Sequence, residues 1–336
     1  MPATLPLHHV ARNKPYSVER VIMTTQNLTT ITPDNLQSAL AYIDQHGRPI
    51  ERALAQYHFG DGTLDQARKA LQQYQNDASG LINGGGFGHG LEPDFLLPAS
   101  SATATSIGLQ YAVELDLQAD DPIVTSALDY LAANRDPALN TWPATPATVN
   151  DFPHAPWWHH DPDKVSADAL ILNPGAELVG YFYRWGQGDK ASGWLDQTIA
   201  CLQARTELEA HELLCCVRLA DAPNLPPDSR YAIINAVLRH VDAAIETNPD
   251  EWDGYCVKPL TAAPHPTGAL GAGLTDIIRL QLPYELARQS DDGAWRPHWS
   301  WFGNYPKDWD AAVPGIAGMI TYGMLMALRN WGAVAP

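Results

Sequence analysis

The chain has 336 residues, 45% of them hydrophobic and 18% charged, with a formal net charge of −17. The apolar share supports a large core, and the low charged share excludes a disordered or coiled-coil chain. An acidic surface repels phosphate backbones and anionic membranes, so neither nucleic acid nor stable membrane insertion is expected, and no apolar stretch approaches the ~18 residues of a span.

Residues 1–30 show neither helical periodicity nor the apolar stretch of a signal peptide. They are expected to be a disordered arm, or a start placed ahead of Met23. From residue 31 to 336 the apolar spacing is helical and one domain is expected. Leu36, Ala39, Leu40 and Ile43 fall at i, i+3, i+4 and i+7, as do Ile50, Ala53, Leu54 and Tyr57. Val124, Ala127, Leu128 and Leu131 repeat the pattern, and so do Ile234, Val237, Leu238 and Val241. Each set is one buried stripe. Thr32-Pro33-Asp34, Arg48-Pro49 and Asp121-Pro122 read as helix starts.

Helices are predicted near 34–46, 48–59, 63–76, 100–118, 122–134, 166–186, 192–205, 207–220, 228–247, 272–289 and 312–331. No segment sustains a period of two, so no sheet is expected. Long connections at 135–165 and 290–311 are rich in tryptophan, histidine and proline. Loops of that length in a compact domain are functional or disordered, and the aromatics argue for function. Cys201, Cys215, Cys216 and Cys256 form no CxxC pair, a reducing-compartment pattern consistent with a cytoplasmic protein.

Two segments look like copies of one unit. Gln75 is followed by the glycines at 84–86 and Phe87, and Gln289 by Gly293 and Trp295. Repetition of this kind indicates a stacked or circular helical array. The pattern resembles the repeats of squalene-hopene-type terpenoid cyclases and protein prenyltransferase β subunits. That resemblance implies an (α/α) toroid of about six helical hairpins, with Gln75–Phe87 and Gln289–Trp295 bridging neighbouring hairpins. The acid Asp-x-Asp-Asp of the cyclases is absent: Asp120-Asp121 lacks its spacing. The prenyltransferase zinc ligands are matched only loosely by Asp253-Gly254-Tyr255-Cys256. Neither activity is transferred.

Four constellations carry chemistry. Gly84 to Asp94 presents His89, Glu92 and Asp94 on a glycine-rich loop. No strand precedes it, so it is not a phosphate cradle. A histidine and two carboxylates suit acid–base work or a divalent metal, or else helix capping. The run from Asp151 to Asp161 offers Trp157, Trp158, His159 and His160 as stacking and titrating groups. Glu177 opens an apolar helix, as a partner of the helix dipole or as a desolvated carboxylate, and His211 and Glu212 stand where the 207–220 helix turns apolar, as groups at a cavity mouth or with His211 as a hydrogen-bonded interior histidine. Tyr255, Lys258, His298, Trp299 and Trp301 complete an aromatic wall. Such walls stack on sugar rings or stabilise carbocations.

The expectation is therefore an enzyme with a central aromatic- and carboxylate-lined pocket, terpenoid-cyclase- or prenyltransferase-like in build. His89, Glu92, Asp94, Glu177, His211 and Glu212 are its catalytic candidates. A carbohydrate-active hydrolase or lyase and a non-catalytic scaffold are the alternatives. The expected partner is a small isoprenoid or carbohydrate molecule. No cofactor is expected, with a divalent metal as the variant.

Overall fold

In the computed structural model of the chain, residues 29–78 and 84–334 are described. The expected N-terminal arm lies, but for Thr29 and Thr30, outside the described residues. The fold is all-α, and among the described residues no strand forms.

The helices are α1 (Pro33–His46), α2 (Pro49–Phe59), α3 (Leu64–Gln72), α4 (Ala102–Glu114), α5 (Pro122–Ala133), α6 (Ala167–Leu172) and α7 (Gly175–Arg184). Then come α8 (Gly188–Ala204), α9 (Ala210–Ala220), α10 (Pro227–Leu238), α11 (Val241–Ala244), α12 (Pro259–Ala262), α13 (Gly271–Ala287) and α14 (Pro306–Asn330). Proline opens α1, α2, α5, α10, α12 and α14, where its missing N–H costs nothing. Thr32 caps α1, and Thr63 with Gln66 forms a capping box on α3.

Several boundaries differ from expectation. The helix predicted at 166–186 is two helices, because Pro174 lacks the N–H to continue α6. The one predicted at 228–247 breaks at Arg239 and His240. The last helix begins six residues before the predicted 312, at Pro306, and runs through an internal proline, Pro314. It is also long and apolar enough to cross a membrane, which corrects the expectation that no stretch is. It packs on α1 and α2, burying Ile316, Ala317, Thr321, Tyr322, Leu325 and Leu328.

The repeated glutamine units have one geometry. Gln75 Nε2 donates to the Gly85 carbonyl at 2.8 Å and to the Ile123 carbonyl, in the first turn of α5, at 2.9 Å. Gln289 Nε2 donates to Gly293 at 2.9 Å and to Asn35, in the first turn of α1, at 2.8 Å. In both units the N–H of the aromatic residue donates to a helix threonine, Phe87 to Thr105 at 3.0 Å and Trp295 to Thr321 at 2.9 Å. Gly85 and Gly293 hold φ at +88° and +91° and lie against the backbone of Ser126 and Ser38, where a Cβ would collide.

A third unit was not evident in the sequence. Arg135 stands where the glutamine would, donating to the Asn140 carbonyl and, at 2.9 Å, to Gln197 of α8. Asn140 takes the glycine's place with φ +53°, and Trp142 the aromatic's. The indoles of Trp142 and Trp295 each donate to a carbonyl of the preceding helix, at 2.6 and 2.8 Å.

The first and last described segments meet. α1 packs against α14, and the Ile31 N–H donates to the Ala333 carbonyl at 2.8 Å. Gln289 thus ties the end of α13 to α1. Its replacement by leucine should strand the Gly293 carbonyl, remove the tie to α1 and lower stability by about 1–3 kcal/mol. Gly293→Ala should cost more, since the new Cβ would stand 2.3 Å from Ser38. Urea unfolding of both variants measures this; midpoints equal to that of the native chain would refute the bridge.

Candidate functional site

Three loops meet at residues 92–96. Arg48, at the start of α2, donates to the carbonyls of Gly90 at 3.0 Å and Leu91 at 2.7 Å while paired with buried Glu51, and so fixes the base of the first loop. The second loop pairs with the first: Leu96 N–H donates to Pro153, and Ala155 N–H to Asp94, both at 2.8 Å. The third arrives through side chains. Trp299 and Trp301, two residues apart on one extended segment, both donate indole N–H to Asp94 Oδ1, at 3.1 and 2.9 Å.

Asp94 is only 8% exposed. Burial raises its pKa, and the two indole hydrogen bonds oppose that rise. Glu92 Oε1 accepts the Asp94 N–H at 3.2 Å, so the two carboxyls share one turn. Burial, then the Asp94 charge, pushes Glu92 up to about 8. At neutral pH Glu92 therefore keeps its proton, while the two indoles favour the charged form of Asp94 against the burial that opposes it.

A second cluster joins through His298, the residue before Trp299. Lys258 Nζ lies 3.4 Å from His298 Nε2, and Arg288 Nη2 lies 3.2 Å from Nδ1. Burial and these two cations depress the imidazole to about 4, so it stays neutral across the physiological range. Lys258 is itself buried, 3.7 Å from Glu285.

The rim is aromatic. Trp157 meets Phe302 edge-on, ring centres 6.3 Å apart, and Trp158 meets Phe95 at 5.3 Å. The Trp158 indole N–H is buried without a partner. Tyr255 is 71% exposed.

The other predicted residues fall as follows. His89 turns away, its Nε2 3.0 Å from Asn76, and makes no contact with the acid pair. Glu177 is buried on α7, accepting from Tyr181 and from Arg218 at 2.9 Å. His211 is bound to Glu209 at 2.7 Å, a bond that raises its pKa. Glu212 completes the capping box of α9 and pairs with Arg205, so its contacts are those of a cap. His159 stacks on His154, and the His160 backbone N–H and carbonyl bond to Asn150. Arg48, Arg218, Glu209 and His154 carry weight in these networks and were not singled out from sequence. Arg218 acts through a partner distant in sequence, while Arg48, Glu209 and His154 also have local partners in Glu51, Glu212 and His159.

No family model, no curated protein and no solved structure matches the chain. Among the described residues no group of three or more His, Cys, Asp or Glu side chains is placed to hold a metal ion.

The raised Glu92 pKa has a consequence for stability. Between the ordinary 4.5 and about 8, the folded chain keeps a proton that the unfolded chain has released. The Glu92 contribution is full below the ordinary value and is lost as pH rises through the folded one. Glu92→Gln has no charge to bury, so it should gain stability relative to the native chain from about pH 5 to about pH 8.5. Urea midpoints that run parallel over that range would contradict the assignment.

Proposed function

We propose that the chain is an enzyme, built as an (α/α) toroid, that performs general-acid chemistry on a neutral small molecule at the Glu92–Asp94 pair. The observation that supports it is the pair itself: one oxygen of Asp94 is pinned by two indoles, and the neighbouring carboxyl keeps its proton at neutral pH. Glu92 is the donor. Asp94 raises the donor's pKa and lends negative charge to a cationic transition state. His298, kept neutral by burial and by Lys258 and Arg288, adds no further positive charge beside the pair.

Acid strength bears on the substrate. A carboxyl that ionises near neutrality protonates oxygen far more readily than an isolated carbon–carbon double bond. Together with the exposed rings of Trp157, Phe302 and Tyr255, this favours an oxygen-rich ring compound, a carbohydrate before an isoprenoid. Glu92 and Asp94 share one turn, so they cannot flank a glycosidic bond from opposite faces as a hydrolase's two carboxylates do. A lyase or a one-acid mechanism fits better. The isoprenoid reading draws its support from the Gln75 and Gln289 units, the two segments that carry the cyclase and prenyltransferase resemblance.

Turnover of oligosaccharides and aryl glycosides, with polyprenyl alcohols and diphosphates alongside, separates the two classes. On the substrate that responds, Glu92→Gln should lower kcat about 10²–10⁴-fold. A fully active Glu92→Gln enzyme would remove this site.

A further inference from the structure

His154 is buried in the second loop, and its Nδ1 lies 2.6 Å from the Phe152 carbonyl oxygen. A carbonyl only accepts, so Nδ1 carries the proton, and in a neutral imidazole Nε2 is then an acceptor. That Nε2 faces His159 Nδ1 at 3.3 Å. His159 must donate across this contact, so it is protonated at Nδ1 and bare at Nε2. His159 is exposed, and its Nε2 has no hydrogen-bond partner among the described residues. The two rings stack with centres 5.5 Å apart, and the Tyr305 ring lies 5.5 Å from His154 on a tilted approach.

We propose that His154 and His159 form a two-histidine proton relay that presents the bare Nε2 of His159 as the general base of the pocket. His159 is the catalytic residue, and His154 is the positioning residue that sets its tautomer. A hydroxyl of substrate or water gives its proton to His159 Nε2. The Nδ1 proton of His159 passes to His154 Nε2. The charge ends on His154 as an imidazolium that still donates to Phe152 and lies beside the Tyr305 ring. One proton enters, one is handed on, and no other reactant is needed. The relay belongs to the same wall as the acid pair, since the Ala155 N–H donates to the Asp94 carbonyl. Its role as base rests on the acid–base reading above; the tautomer lock does not.

The lock is visible without a substrate. Two-bond proton–nitrogen correlation spectra of the full chain at neutral pH should show both histidines as Nδ1–H tautomers, assigned with His159→Gln. In His154→Phe, which keeps a stacking ring but offers no acceptor, the His159 signals should shift to the Nε2–H form. Acylation of His159 by diethyl pyrocarbonate, mapped by mass spectrometry, should slow in the same variant. A native His159 protonated at Nε2, or a resting His154 protonated on both nitrogens, overturns the relay. So does an acylation rate that His154→Phe leaves unchanged. If His154→Phe does not fold, the native tautomers alone decide. Because neither measurement uses turnover, an inert Glu92 removes the acid–base reading while leaving the lock to stand or fall separately.

Discussion

A side-chain donor that joins a turn carbonyl to a distant helix is the constraint on which the arrangement depends. Backbone carbonyls have two lone pairs, so those of Ile123 and Asn35 can serve their own helices and still accept a glutamine amide. Gln75 reaches α5, Arg135 reaches α8, and Gln289 reaches α1, which joins the last part of the chain to the first. Each tie is followed by one of the loops that meet around Asp94. Phe87 leads to Glu92 and Asp94, Trp142 to His154 and His159, and Trp295 to His298, Trp299 and Trp301. Fixing the ties therefore fixes where these loops begin, and their hydrogen bonds at Asp94 fix where they meet.

Electrostatics then divides the labour. Two carboxyls in one turn, Asp94 buried and Glu92 half-buried, cannot readily ionise together. The two indole donors favour the charged form of Asp94, and burial with that neighbouring charge keeps the proton on Glu92. His298 is governed by the opposite sign: Lys258 and Arg288 exclude a third positive charge. Trp299 stands between these regimes, bonded to Asp94 and adjacent in sequence to His298. An acid kept protonated and an imidazole kept neutral thus arise on either side of one indole.

Helical periodicity was enough to show the all-α fold, because a stripe of apolar residues at i, i+3, i+4 and i+7 has one economical way to be buried. Boundaries failed where local chemistry overrode the stripe, as at Pro174. The glycine loop and the tryptophan segment were visible as unusual composition, and both lie at the pocket. What the sequence concealed was pairing. Arg135 for glutamine and Asn140 for glycine keep a geometry that no residue-identity search finds, since a guanidinium can replace an amide as donor and asparagine tolerates positive φ. His89 sat in the right motif, but its left-handed backbone, φ +55°, accompanies a side chain bonded to Asn76.

The rim carries strain that packing alone does not require. Phe302 and Tyr305 hold φ at +51° and +47°, a left-handed conformation that bulky residues adopt at a cost of roughly 1–3 kcal/mol each. Such strain persists only where the surroundings over-determine it. Here Trp301 is buried against Trp309 and bound to Asp94, Phe302 meets Trp157, and Tyr305 meets His154. A relaxed turn would pack these rings elsewhere, and the fold gains no core by opposing it, since Phe302 and Tyr305 stay exposed. The strain instead places one exposed ring across from Trp157 and another against the buried histidine of the relay. The neighbouring rings thus hold a backbone cost that burial of these two side chains does not offset.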